Sequence, residues 1–65
     1  MISVNGREEA LEAGTTVAQY LEWKAYRPDR VAVELNGAIL PKNRYVSQVL
    51  ADGDQMEVVS FVGGG

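Results

Sequence analysis

The sequence predicts an α+β domain in which a mixed β-sheet carries one main helix on one face. Three observations point there. Short segments with strand-like alternation lie towards both ends of the chain. Two Asn-Gly pairs, Asn5-Gly6 and Asn36-Gly37, each separate two such segments in the manner of a two-residue hairpin turn. Between the hairpins lies a helical segment with a start signal, Thr16 followed three residues later by Gln19.

Met1-Ile2-Ser3-Val4 alternates apolar and polar, and Asn5-Gly6 turns the chain because both positions tolerate positive φ. The return strand spans Arg7 to Leu11, with Glu8, Glu9 and Glu12 favouring an edge position. Gly14 breaks the pattern, and Thr16 and Gln19 form a capping box. Val17, Tyr20, Leu21 and Lys24 then share one helical face, with Trp23 at its margin. Pro28 stops the helix at or before Arg27. Val31-Ala32-Val33-Glu34-Leu35 is the clearest strand, with Val31, Val33 and Leu35 facing the core. Beyond Asn36-Gly37, Ala38 to Leu40 form a short strand closed by Pro41. Lys42 to Leu50 read as a loop with room for one helical turn, packed by Tyr45, Val46 and Leu50. Asp52-Gly53-Asp54 is a turn, and Gln55 to Val62 is the last strand. The expected core is Val4, Val17, Leu21, Val33, Leu35, Leu50, Met56 and Val58. The pattern sets the order of elements and leaves their pairing open. A β-grasp arrangement, with first and last strands parallel at the sheet centre, is the expected topology.

Composition excludes much of enzymology. The 65 residues hold one domain, and a domain of this size buries only about 60% of its unfolded surface. There is no Cys and no His. Disulfides, thiolate metal sites and the common nucleophile–base pairs are therefore absent. Nine acidic and six basic residues give a net charge of −3, with no basic run. Nucleic acid and membrane are not expected partners, and no metal is expected. No apolar run is long enough to span a bilayer and no charged-then-apolar leader opens the chain, so a cytoplasmic location fits.

The glycines at the end of the sequence carry the functional signal. Residues 1–62 read as the folded domain and 63–65 as a flexible tail, Gly63-Gly64-Gly65. Without Cβ atoms such a tail is thin enough to enter a narrow channel, reaching about 10 Å beyond the strand. It would carry a terminal carboxylate. That group is a poor electrophile until ATP converts it to an acyl adenylate, from which a sulfur nucleophile displaces AMP to give a thiocarboxylate. A frayed chain end is the competing interpretation.

Several segments together carry a family resemblance. They are Thr16-Val17-Ala18, Val31 to Gly37, Pro41-Lys42, Asp52-Gly53-Asp54 and above all Val58 to Gly65, with Phe61-Val62-Gly63-Gly64-Gly65 the most specific. Over essentially its whole length the chain resembles the ThiS family, sulfur carriers of thiamin biosynthesis in the ubiquitin-like β-grasp superfamily. Trp23 and Lys24 depart from the family pattern, and both lie on the helix. The resemblance implies a co-substrate and not an enzyme, with no cofactor bound and ATP consumed by a partner. It implies three partners: an E1-like adenylating enzyme, a persulfide sulfur donor, and thiazole synthase. Its functional residues map onto Gly65, whose carboxylate is adenylated and then thiocarboxylated, and Gly64, with Gly63 as spacer. A molybdopterin-pathway carrier, a ubiquitin-like protein modifier and a passive interaction module remain as alternatives.

Strand alternation adds a docking surface. If Met56 and Val58 face the helix, then Val59 and Phe61 lie on the open face beside the tail, with Ala32 and Glu34 near them. Val59, Phe61, Val62 and Gly63 are the expected partner contacts. Of the remaining features, Tyr20, Trp23, Tyr26 and Tyr45 read as packing rather than a stacking site. Glu8, Glu9 and Glu12 read as a solvated face rather than a cation site.

Overall fold

The computed structural model describes residues 1–61. Five strands form one sheet: β1 (Ile2–Val4), β2 (Arg7–Glu9), β3 (Val31–Leu35), β4 (Ala38–Leu40) and β5 (Gln55–Ser60). The single α-helix among the described residues, α1, spans Val17–Trp23 and follows the first hairpin. Two 3-10 turns, Pro28–Arg30 and Lys42–Arg44, precede β3 and follow β4. The strand order is β2-β1-β5-β3-β4, so the last strand in sequence is the central one in space. β1 and β5 run parallel, and every other pair is antiparallel. This is the expected β-grasp topology. No helix among the described residues is long and apolar enough to cross a membrane.

Both Asn-Gly pairs turn as their sequence predicts. Asn5 and Gly6 have φ of 51° and 81°, and Asn36 and Gly37 have 53° and 85°. Two residues in the left-handed region match the twist of the flanking strands, which is why this dipeptide makes the tightest hairpins.

Helix α1 has only seven residues, too few to be stable alone, so its ends are held by the rest of the chain. Its first backbone N–H groups have no partner within the helix. Val17 N–H donates to the Gln48 carbonyl and Ala18 N–H to the Tyr45 carbonyl, both at 2.9 Å. The Thr16–Gln19 capping box supplies the next acceptor, Thr16 Oγ1, to Gln19 N–H at 3.1 Å. The stretch from Lys42 to Leu50 is thus a brace for the start of the helix as well as a connection. The helix stops well before Pro28. Tyr26 N–H bonds the Leu21 carbonyl at 2.8 Å and Ala25 N–H bonds the Glu22 carbonyl at 3.0 Å, while Ala25 sits at φ 62°. This is the Schellman pattern, with alanine where glycine is usual.

The core lies between α1 and one face of the sheet. Ile2, Val4, Val17, Tyr20, Leu21, Val31, Val33, Tyr45, Leu50, Met56 and Val58 are buried. Seven of the eight expected core residues are among them. Leu35 is only partly buried, because β3 reaches the Asn36-Gly37 turn at that point and the core thins at the end of the sheet.

Other expectations need correction. Val46 does not pack: it is 73% exposed, because the chain there follows the Lys42–Arg44 turn over the surface and Tyr45 fills the core instead. β2 ends at Glu9 rather than Leu11, since β1 offers only three residues and the ladder closes with Ile2 opposite Glu9. β5 ends at Ser60, opposite Val31, where β3 begins. The flexible tail expected at 63–65, and Val62 before it, lie outside the described residues.

The Ala25 conformation gives a stability test. A β-carbon in the left-handed region costs about 1–2 kcal/mol, offset in part by the extra freedom glycine has when unfolded. Ala25→Gly should therefore raise unfolding free energy by about 0.5–1 kcal/mol, measured as an upward shift in the urea midpoint at constant slope.

Candidate functional site: the end of the central strand and the open sheet face

In the sequence Phe61 and Val62 separate β5 from the glycines, and each segment neighbouring the strand fixes a part of it. Ser3 N–H bonds the Asp54 carbonyl at 2.9 Å at the strand's entry, and Asn5 N–H bonds the Met56 carbonyl at 3.0 Å. The Asn5 side chain extends this edge beyond the end of β1. Its Oδ1 accepts from Val58 N–H at 2.8 Å, and its Nδ2 donates to the Val58 carbonyl at 3.2 Å. A side-chain amide here substitutes for one more residue of β-ladder.

Asn36 does the equivalent on the other side. Its Oδ1 accepts from Gln55 N–H at 2.9 Å, its backbone N–H bonds the Gln55 carbonyl at 2.7 Å, and its Nδ2 donates to Asp54 at 3.0 Å. Asp54 also accepts from Ala51 N–H at 2.8 Å, closing the turn before β5. At the far end, Phe61 N–H donates to the Arg30 carbonyl at 2.8 Å. These asparagine bonds were not foreseen from the sequence, where Asn-Gly signals only a turn. The available hint was the asparagine amide itself, which carries donors and acceptors that a turn does not consume.

The sheet has two unlike faces. Met56 and Val58 point inward to α1. Val59 is 57% exposed and Phe61 52% exposed on the opposite face. Register places Ala32 directly opposite Val59, and Glu34 opposite both Glu57 on β5 and Ile39 on β4. Ile39 is 74% exposed. The structure therefore brings together Val59, Phe61, Ala32 and Glu34 as the alternation argument required, and it adds Ile39, which that argument missed. Of the expected site residues, Val62, Gly63, Gly64 and Gly65 lie outside the described residues.

The helix side offers less. Tyr20 and Tyr45 are core residues and Tyr26 is partly buried. Burial, reinforced by the hydrogen bond from the Tyr20 hydroxyl to Glu9 at 2.9 Å, holds that phenol far above its ordinary pKa. Trp23, at the margin of the helix face, is 63% exposed and packs edge-on against Tyr20, ring centroids 6.0 Å apart, with the Lys24 ammonium 4.5 Å from its own ring centroid. Lys24 also reaches Glu9 at 3.4 Å. Glu9 is thus engaged by two neighbours, in keeping with a structural carboxylate.

Fold and face together describe a ubiquitin-like β-grasp domain whose central strand delivers the chain to a glycine-rich end. The ThiS family model matches residues 2–65, and the chain belongs to the ThiS family. It is 36% identical over 66 residues to the sulfur carrier protein ThiS of Bacillus subtilis, covering 100% of both chains. It is also 44% identical over 64 residues to a thiazole synthase of Magnetococcus marinus, covering 98% of this chain and 20% of that protein. The chain thus spans about a fifth of the length of that synthase. The crystal structure of the thiamine biosynthesis protein ThiS from Geobacter metallireducens superposes with a TM-score of 0.81 at 31% identity, over 98% of this chain and 97% of that one.

The two faces should respond differently to truncation. Phe61→Ala, on the open face, should lower stability by no more than about 1 kcal/mol. Asn5→Ala removes two bonds to β5 and should cost about 1–3 kcal/mol. Urea denaturation of both variants checks the contrast, and a reversed order would place Phe61 in the core.

Proposed function

We propose that this protein is a sulfur carrier of thiamin biosynthesis, working as a co-substrate and not as an enzyme. The observation that carries this reading is the match to the ThiS family through residues 2–65, glycines included. The end-to-end similarity to the Bacillus subtilis carrier adds to it.

In this reading the Gly65 carboxylate attacks the α-phosphorus of ATP on an E1-like adenylating enzyme, and pyrophosphate leaves. The terminal sulfur of a persulfide donor attacks the acyl carbon and expels AMP, forming an acyl disulfide. Cleavage of its S–S bond by a thiol leaves the thiocarboxylate on Gly65. Thiazole synthase then takes the sulfur, and water restores the carboxylate. Gly64 and Gly63 keep the approach narrow, because any Cβ would widen the segment that enters the partner's channel.

Val59 and Phe61, with Val62, anchor both the adenylating enzyme and the synthase in this proposal. Support comes from the exposure of Val59 and Phe61: two large apolar side chains two residues apart on the face opposite the core, with Val62 between them and the glycines in the sequence. Burying such residues at the centre of an interface supplies most of its binding energy. The synthase as partner gains support from the Magnetococcus protein, in which a segment similar to this chain is part of a protein named thiazole synthase.

Intact-mass measurement tests the reading. Incubated with the adenylating enzyme, ATP and a sulfur source, the chain should exchange one oxygen for one sulfur. Deleting Gly65 should abolish the exchange and leave the fold intact. Mass ladders on other proteins would indicate a modifier instead, and an unchanged mass would mean that the chain is not a carrier.

A further inference from the structure

Lys42 stands where strand pairing runs out. The β3–β4 ladder ends at the Val33–Leu40 pair, and the next residue after β4, Pro41, has no N–H with which to extend it. Lys42 follows, and its ammonium takes over as donor. It bonds the Val31 carbonyl at 3.0 Å and the Pro28 carbonyl at 3.0 Å. These two carbonyls lie on either side of Arg30, whose own carbonyl accepts the N–H of Phe61. The same ammonium lies 6.0 Å from the centroid of the Phe61 ring, at the outer limit of cation–π attraction.

One cation therefore joins three pieces: the Pro28–Arg30 turn, the start of β3, and the side chain at the end of β5. Bonds from an ammonium are stronger than those between neutral groups, and Lys has three N–H donors to distribute. Two are committed to backbone carbonyls, so the head group is fixed although the residue lies at the surface. Beyond the β5 ladder, the Phe61–Arg30 bond is the last backbone bond of this strand among the described residues, and the segment that accepts it is the one Lys42 holds.

We propose that Lys42 is a positioning residue, whose ammonium fixes the Pro28–Val31 segment and Phe61 and thereby holds the end of β5 in place. The functional consequence rests on the carrier reading above; the structural claim does not. A strand end already held in place loses less freedom when a partner binds it, so loss of the cation should weaken productive encounter more than the chemical step.

The test uses Lys42→Met, which keeps the aliphatic stem and removes the cation, with Lys42→Arg as the conservative variant. Native-state amide exchange is measured by NMR on the 65-residue chain. Sulfur loading is measured by mass with adenylating enzyme, ATP and a sulfur source. In Lys42→Met, Phe61 N–H should exchange about tenfold faster while Val33 and Val58 keep wild-type rates. The kcat/KM for loading should fall about tenfold, mostly through KM. Lys42→Arg should restore both, since a guanidinium can also donate to two carbonyls. An unchanged Phe61 rate overturns the proposal. Equal acceleration at Val33 and Val58 also overturns it, by making Lys42 a general stabiliser, as does a loosened Phe61 with unaltered loading. If the wild-type chain takes up no sulfur, the carrier reading fails, and the exchange rates alone decide whether Lys42 holds the end of the strand.

Discussion

Everything in this molecule is arranged around β5. As the middle strand of five it pairs with β1 on one edge and β3 on the other, in parallel and antiparallel registers. A three-residue β1 is too short to cover it, and the Asn5 amide makes up the deficit at Val58. Asn36 binds the strand's beginning, and the Arg30 carbonyl binds its end. Left unmade, a buried backbone polar group would cost about 1–3 kcal/mol, a large share of the stability of so small a domain. Two asparagines in turns thus serve two ends. Their left-handed backbone reverses the chain, and their side chains complete the pairing of the central strand.

With β5 held in this way, the two faces of the sheet separate their tasks. The inner face, through Val4, Val33, Met56 and Val58, meets Val17, Tyr20 and Leu21 of a helix that could not persist alone. The outer face is built on other terms. Val59, Phe61 and Ile39 are left in solvent, and Glu34 stands opposite Glu57, two like charges directly across the ladder. Neither feature adds to the stability of the free domain. Both suit a surface that is completed by a partner, with apolar residues to bury and carboxylates to be neutralised. The proposed carrier function needs such a surface because a glycine terminus alone gives a partner almost nothing to recognise.

Much of this was legible in the sequence because the relevant signals are local. Asn5-Gly6 and Asn36-Gly37 specify hairpins through backbone sterics alone, and the Thr16–Gln19 box is complete within four residues. The alternation from Gln55 to Phe61 separated the core pair Met56 and Val58 from the exposed pair Val59 and Phe61. What escaped depends on distant partners. The Asn5–Val58 bonds span 53 positions, and the Lys42 bonds join a loop to a turn that strand periodicity does not report. Val46 was misplaced because an apolar residue beside Tyr45 carries no sign of which one the surface turn leaves outside. The early stop of α1 followed from a Schellman closure at Ala25, a position where sequence normally advertises itself with glycine. At the site, residue identity and face could be read, whereas the network that orients the strand could not.

The central claim is that the open face beside the end of β5 is the working surface of this domain. The most direct measurement is an NMR titration of the isotopically labelled chain with the adenylating enzyme, following each backbone amide. The account predicts that shifts and line broadening concentrate on Ala32, Glu34, Ile39, Glu57, Val59 and Phe61 and continue into the residues after them, while the amides of α1 stay unperturbed. Perturbation centred on Gln19 and Trp23 of α1, with the open face silent, would contradict it.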